Sequence, residues 1–124
     1  MRVIPLLALL LPLAATALER ETIELAGSWE TVRADGLKSV PETGWTSFEV
    51  PGTVSGFRYT ASWFRRAVDI PASWQGRRVA IRFGGVRWNS RVYVNEQLAG
   101  GHFNGFDAFE LDALGDFFHQ LDGA

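Results

Sequence analysis

The feature that most constrains the fold is a series of short segments in which apolar and polar residues alternate, each ended by glycine, proline or another turn former. In residues 78–83, Val79, Ile81 and Phe83 occupy every second position, and a pair of glycines follows. A strand brings alternate side chains to one face, whereas a helix needs a spacing of three or four residues. The other segments predicted to be extended are residues 28–32, 45–50, 63–70, 91–95 and 109–112.

Short strands separated by turns in this way predict an all-β fold, an antiparallel sandwich. We expect the five Trp and nine Phe residues to fill the space between its two sheets. Arg66 shares the apolar face of its segment with Phe64. A buried guanidinium needs a partner, so we expect Arg66 to have a structural role. The partners that we consider are Asp69, Glu110 and Asp112.

Composition excludes several classes of protein. The 124 residues leave room for one domain and are too few for a (β/α)8 barrel of about 250 residues. A net charge of -2 argues against a nucleic-acid partner. There is no cysteine, and the two histidines, His102 and His119, have no third ligand at metal spacing. We therefore predict no metal and no other cofactor.

The first 17 residues have the pattern of a secretory signal peptide. Arg2 precedes an apolar run over residues 3–13, and the small residues 15–17 form a cleavage site. The run is shorter than the roughly 20 residues of a membrane span. We therefore divide the chain into a signal peptide, 1–17, and one domain, 18–124. We expect a secreted or periplasmic protein with no membrane span after cleavage.

Several pieces of the chain, in order, resemble one family. Residues 62–71 read SWFRRAVDIP, and residues 81–86 read IRFGGV. The further pieces are residues 25–29, 50–52, 73–79 and 92–95, and the residues His102, Gly105, Phe106, Phe109, Glu110 and Asp112. Together they resemble the sugar-binding jelly-roll domain of family 2 glycoside hydrolases, a galactose-binding-like fold found in β-galactosidases, β-glucuronidases and β-mannosidases. The resemblance covers residues 23–118 and implies structural roles for Trp63, Asn95, Phe109 and Asp112.

The resemblance also implies what this chain lacks. The family hydrolyses O-glycosyl bonds with two glutamates at the separation of a retaining enzyme, and both lie in a catalytic barrel. We therefore expect this chain to be a non-catalytic accessory domain whose partners are carbohydrate and the barrel of its parent. We also expect residues 18–124 to be incomplete at the C-terminus and to lack the last strand, so that an exposed sheet edge allows self-association.

Several positions depart from the family pattern. Glu96 follows Asn95 where the family usually has Gly or Asn, which suggests a different turn type or strain. Asn104 replaces a glycine, and Gly100 and Gly101 stand together before His102. We interpret this pair of glycines as part of a loop.

A sugar site needs an aromatic plane bordered by hydrogen-bonding groups. The candidates for carbohydrate contact are Tyr59, Trp88, Asn89, His102 and Asn104. For Trp88 the alternative is a lid over one end of the sandwich. Two other functions also stay open for the whole chain, a free-standing carbohydrate-binding module and a structural or protein-adhesion domain.

Overall fold

The computed structural model describes residues 19–34, 38–54 and 61–113, which form seven β-strands and one short 3₁₀ turn, Ala72–Trp74. The strands are β1 Gly27–Ala34, β2 Thr46–Val50, β3 Ala61–Arg65, β4 Ala80–Phe83, β5 Asn89–Val94, β6 Gln97–Phe103 and β7 Phe109–Asp112. Each pair of bonded strands is antiparallel, which confirms the predicted fold class. Among these residues, no helix is both long and apolar enough to span a bilayer.

Several predictions concern the rest of the chain. The predicted signal peptide, residues 1–17, and Tyr59 lie outside the described residues. So do residues 114–124, the end of the chain at which we expect the closing strand to be missing. The described strands fall into two compact units, one ending at Arg65 and one beginning at Arg66.

The first unit is a three-stranded sheet with β1 at its centre and the order β2-β1-β3. β1 pairs Trp29 with Phe48 of β2 and Thr31 with Phe64 of β3. The rings of Phe48 and Phe64 meet edge to face with centroids 5.2 Å apart. Trp63 is half-buried in β3, and its carbonyl accepts a hydrogen bond of 2.9 Å from the hydroxyl of Thr31.

The strand predicted over residues 63–70 is shorter than expected. β3 ends at Arg65, and residues 66–70 have no strand pairing. Arg66 is exposed, so the cost of burying its charge does not arise. The predicted burial of Arg66 is therefore wrong. Phe64, expected in the core, is also 40% exposed.

Two of the three carboxylates proposed as partners of Arg66, Glu110 and Asp112, bind Arg78. Its Nε donates to Asp112 at 2.8 Å, and its Nη2 donates to Glu110 at 3.2 Å. All three side chains are largely exposed, so each ion pair stabilises the fold by no more than about 1 kcal/mol. The sequence correctly placed both carboxylates on one solvated face of β7, opposite Phe109 and Leu111.

The second unit contains the sheets β4-β7 and β5-β6. Its fully buried apolar residues are Val79, Val94 and Ala113. The backbone N–H of Ala113 donates to the carbonyl of Val79 at 2.9 Å. Phe83 and Phe109, which face each other across β4 and β7, stack with their ring centroids 4.8 Å apart. The alternation predicted for residues 78–83 and 109–112 is confirmed.

The strand β6 was not predicted from the sequence, because Gly100 and Gly101 were interpreted as a loop. Both glycines lie within the strand at points of close approach. A Cβ on Gly100 would lie 2.8 Å from Cδ2 of Leu111, and a Cβ on Gly101 would lie 2.7 Å from the carbonyl oxygen of Ser90. Glycine inside a strand often marks such a contact.

The β5-β6 hairpin turns at Asn95 and Glu96, between the paired residues Val94 and Gln97. Asn95 has φ of 48° and Glu96 has φ of 67°. Positive φ at both central residues defines a type I′ turn. Of the two expectations for Glu96, a different turn type or strain, the structure shows strain: the turn keeps positive φ at both central residues. Asparagine tolerates this conformation, whereas glutamate adopts it at a cost.

This strain predicts that Glu96→Gly stabilises the protein. Removing Cβ relieves a conformation that costs on the order of 1 kcal/mol or more, and the greater freedom of glycine in the unfolded chain offsets part of the gain. We expect the free energy of unfolding to rise by about 1 kcal/mol, measured by urea denaturation. The control Glu96→Ala removes the same charge but retains Cβ, so it should give no gain. Equal stabilisation by both variants would show that charge, not backbone strain, is responsible.

Candidate functional site

The β5-β6 hairpin brings four of the five candidate sugar-contact residues to its open end. Asn89 begins β5, and His102 lies near the end of β6. Trp88 and Asn104 lie just outside the paired strands, where the backbone N–H of Asn104 donates to the carbonyl of Trp88 at 2.9 Å. The fifth candidate, Tyr59, lies outside the described residues. That these residues contact sugar stays a prediction.

Two exposed aromatic rings dominate this end of the hairpin. Trp88 is 51% exposed and Phe106 is 72% exposed. Their centroids are 5.4 Å apart, and their planes are nearly perpendicular at 84°. We call this pair of rings the Trp88–Phe106 platform. It contradicts the expectation that the aromatic residues fill the core, because most of its apolar surface remains in contact with solvent.

Asn104 positions one ring of the platform. Its φ of 147° lies in a region that glycine adopts more easily than other residues, which is consistent with a glycine at this position in the family. Its side-chain Oδ1 accepts a hydrogen bond of 3.2 Å from the backbone N–H of Phe106. The side-chain oxygen of Asn104, a predicted sugar-contact residue, therefore holds the loop that carries Phe106.

His102 is held from two sides. Its Nε2 lies 2.9 Å from Oδ1 of Asp107, and because a carboxylate only accepts, the imidazole N–H is the donor. Its ring stacks on Phe109 with centroids 4.3 Å apart and an angle of 14°. Phe109, predicted to be structural, thereby connects His102 to the stacked ring of Phe83. The arrangement fixes the imidazole in one orientation beside the loop of residues 104–107.

Further residues of this region were not predicted as site residues. Phe106 and Asp107 lie in the loop that follows His102, and Arg87 precedes Trp88. The sequence shows an aromatic residue, Phe106, next to a glycine. Its pairing with Trp88 could be predicted only from the register of the hairpin. The outer face of the hairpin also has a shallow groove lined by Asn89, Arg91, Leu98, Gly101 and Phe103, among others.

Glu96, Glu110 and Asp112 are not arranged as a hydrolytic pair. Glu110 and Asp112 are both hydrogen-bonded to the same guanidinium on an exposed strand face. Glu96 lies in the turn at the other end of the hairpin. Retaining glycosidases need two carboxyl groups on either side of a bound sugar ring, and these three side chains do not provide that geometry.

Comparisons with known proteins agree with the resemblance. No protein-family model matches the chain. A protein named for β-glucuronidase activity in Formosa agariphila is 32% identical over 85 residues, which cover 68% of this chain and 10% of that protein. A β-galactosidase of Thermoanaerobacter pseudethanolicus is 37% identical over 51 residues, which cover 41% of this chain and 7% of that enzyme. The chain therefore spans about a tenth or less of the length of these relatives.

Solved structures match a larger part of the chain. The β-glucuronidase of Faecalibacterium prausnitzii matches with a TM-score of 0.61 and 27% identity, over 77% of this chain and 20% of the enzyme. The β-glucuronidase of an uncultured Clostridium matches with a TM-score of 0.63 over 74% of this chain and 19% of the enzyme, at 24% identity.

The fold is that of a β-sandwich, and the similarities are to one domain of family 2 glycoside hydrolases.

The close packing of the platform loop predicts that Gly105→Ala is destabilising. A Cβ at Gly105 would lie 2.8 Å from Cγ and 3.2 Å from Cα of Arg87, so the backbone of one segment must move. We expect a loss of about 1–3 kcal/mol in the free energy of unfolding, measured by denaturant titration. The matched control is Gly84→Ala, where a Cβ meets nothing within 4 Å and stability should change little. Equal effects of the two substitutions would contradict the described contact.

Proposed function

We propose that this chain is the N-terminal accessory domain of a secreted family 2 glycoside hydrolase, and that it contacts carbohydrate through the Trp88–Phe106 platform. Support for the enzyme class comes from the relatives, which are named β-glucuronidases and β-galactosidases. Support for a carbohydrate contact comes from one observation, the pair of exposed rings at the open end of the β5-β6 hairpin.

The chemistry of that end suits a pyranose. Aromatic faces offer an apolar plane to the C–H groups of a sugar, and polar groups around them accept or donate to its hydroxyls. Asn89 is exposed at the start of β5, and Asp107 has one side-chain oxygen bonded to His102. Because the planes of Trp88 and Phe106 are nearly perpendicular, one ring can lie against the face of a sugar and the other against its edge.

The hydrolytic step belongs, in this proposal, to a catalytic domain of the parent enzyme. That domain supplies the two glutamates of a retaining mechanism, one as nucleophile and one as acid and base. The role of the present domain is to bind or orient the glycan near that site. The proposal includes export directed by residues 1–17, which mass spectrometry of the exported protein tests through its first residue.

The proposal predicts that Trp88→Ala weakens glycan binding by the full chain. Loss of an aromatic surface at the centre of a contact typically costs about 1–3 kcal/mol, so we expect Kd to increase by roughly 5- to 150-fold, measured by titration calorimetry. The ligands are oligosaccharides of β-linked glucuronate, galactose and mannose. The matched control is Phe103→Ala, which removes a ring that is 78% exposed on the same hairpin but outside the platform.

Binding that is equally weakened by both substitutions would indicate general hydrophobic adhesion and overturn the platform. No binding of the chain to any glycan would also overturn a direct carbohydrate contact by this domain alone. Hydrolysis of aryl β-glycosides by the purified chain, abolished by a single Glu substitution, would refute its non-catalytic role.

A further inference from the structure

A guanidinium lies beside the two rings of the platform. Cζ of Arg87 is 5.9 Å from the ring centroid of Trp88 and 5.4 Å from that of Phe106. Both distances are within the range of cation–π attraction, about 6 Å. The same cation therefore contacts both rings, and the platform combines two apolar faces with one positive charge.

The position of Arg87 is fixed by its backbone contacts. Gly105 leaves no side chain between the two segments, so Cα and Cγ of Arg87 lie directly against its backbone. The next residue, Trp88, is held by the hydrogen bond from the N–H of Asn104. The loop on the other side is held by the hydrogen bond between Phe106 and the side chain of Asn104. The guanidinium is therefore carried by a segment with defined geometry.

Arg87 differs from Arg65 and Arg78, two arginines that form ion pairs with carboxylates on the strands. Arg65 forms an ion pair of 2.6 Å with Glu30, and Arg78 forms two ion pairs. No ion pair in the described part of the chain includes Arg87. Asp107, the residue that follows Phe106, is bonded to His102. Arg87 is exposed, so its N–H groups can receive an external anion.

We propose that the Trp88–Phe106 platform selects sugars that carry a carboxylate, and that Arg87 is the residue that recognises it. This inference rests on the proposed function, because it assigns the class of sugar to the same platform. The planar guanidinium can donate two parallel hydrogen bonds to one carboxylate. The two rings hold the guanidinium near the plane on which a pyranose would lie. A sugar with a carboxylate can therefore contact the rings and the guanidinium at the same time.

The test compares three oligosaccharides of equal length and linkage on the full chain: a β-linked glucuronate oligomer, its carboxyl-reduced neutral form, and that neutral form bearing sulfate esters. Titration calorimetry at low salt measures each Kd. We expect the uronate oligomer to bind on the order of tenfold more tightly than the neutral form, since charged hydrogen bonds are about twice as strong as neutral ones. Raising the salt concentration should reduce this preference.

Two variants assign the preference to one residue. Arg87→Gln should bring the uronate and neutral oligomers to within about twofold of each other, because the charged donor is lost while the rings remain. The matched control Arg91→Gln removes an exposed arginine of the same hairpin and should preserve the preference. Arg87→Lys retains the charge without the planar fork and should lose most of the preference. Thermal unfolding verifies that each variant is folded.

The outcomes separate this inference from the proposed function. Equal binding of the charged and neutral oligomers by the unaltered chain, still weakened by Trp88→Ala, overturns the selection of carboxylates and retains the sugar platform. Preferred binding of the sulfated form overturns the carboxylate assignment. A preference that is lost equally in Arg87→Gln and Arg91→Gln shows general charge attraction and also overturns it. Failure of every oligomer to bind refutes the proposed function itself.

Discussion

The antiparallel register of β5 with β6 is the constraint on which the site depends. It sets Asn89 opposite Phe103 and Ser90 opposite His102, and it brings the segments before and after the hairpin to the hydrogen bond between Asn104 and Trp88. A shift of one residue would reverse the face of each side chain in the strand. The platform, the imidazole and the guanidinium all follow from this one pairing.

Two glycines make this register possible. Gly100 allows the side chain of Leu111 to lie against β6, and Gly101 allows the carbonyl of Ser90 to approach. Few apolar residues are buried in the described part of this unit, and close contacts between strands stabilise it as well as side-chain burial. Stacking among Phe83, Phe109 and His102 adds a second line of contact between the sheet β4-β7 and the end of β6.

The sequence predicted the parts of the structure that depend on local pattern. The strands at residues 78–83 and 109–112 follow from strict alternation, and the solvated face of β7 follows from it as well. The same rule failed for residues 66–70, because alternation without a neighbouring strand does not make a strand. It also failed for β6, because the two glycines were interpreted as a turn signal, although they serve close packing.

The candidate site was predictable as a list of residues but not as a geometry. Trp88 and His102 were recognisable as an aromatic and a polar residue near turn signals, and both lie at the open end of the hairpin. The contact of Arg87 with Phe106 depends on the loop conformation at Asn104, whose φ of 147° no pattern of residue types encodes. Periodicity predicts strands, but it does not predict which loops distant in sequence pair with each other.

The two ends of the β5-β6 hairpin are well separated. The turn at Asn95 and Glu96 closes one end, and the six residues of β5 lie between it and Trp88. At about 3.3 Å per residue, this strand places the turn roughly 20 Å from the platform. The turn is exposed, so a fluorophore or a surface tether attached there would leave the aromatic rings accessible. Attachment at this turn would therefore orient the domain on a sensor surface with its rings facing solvent.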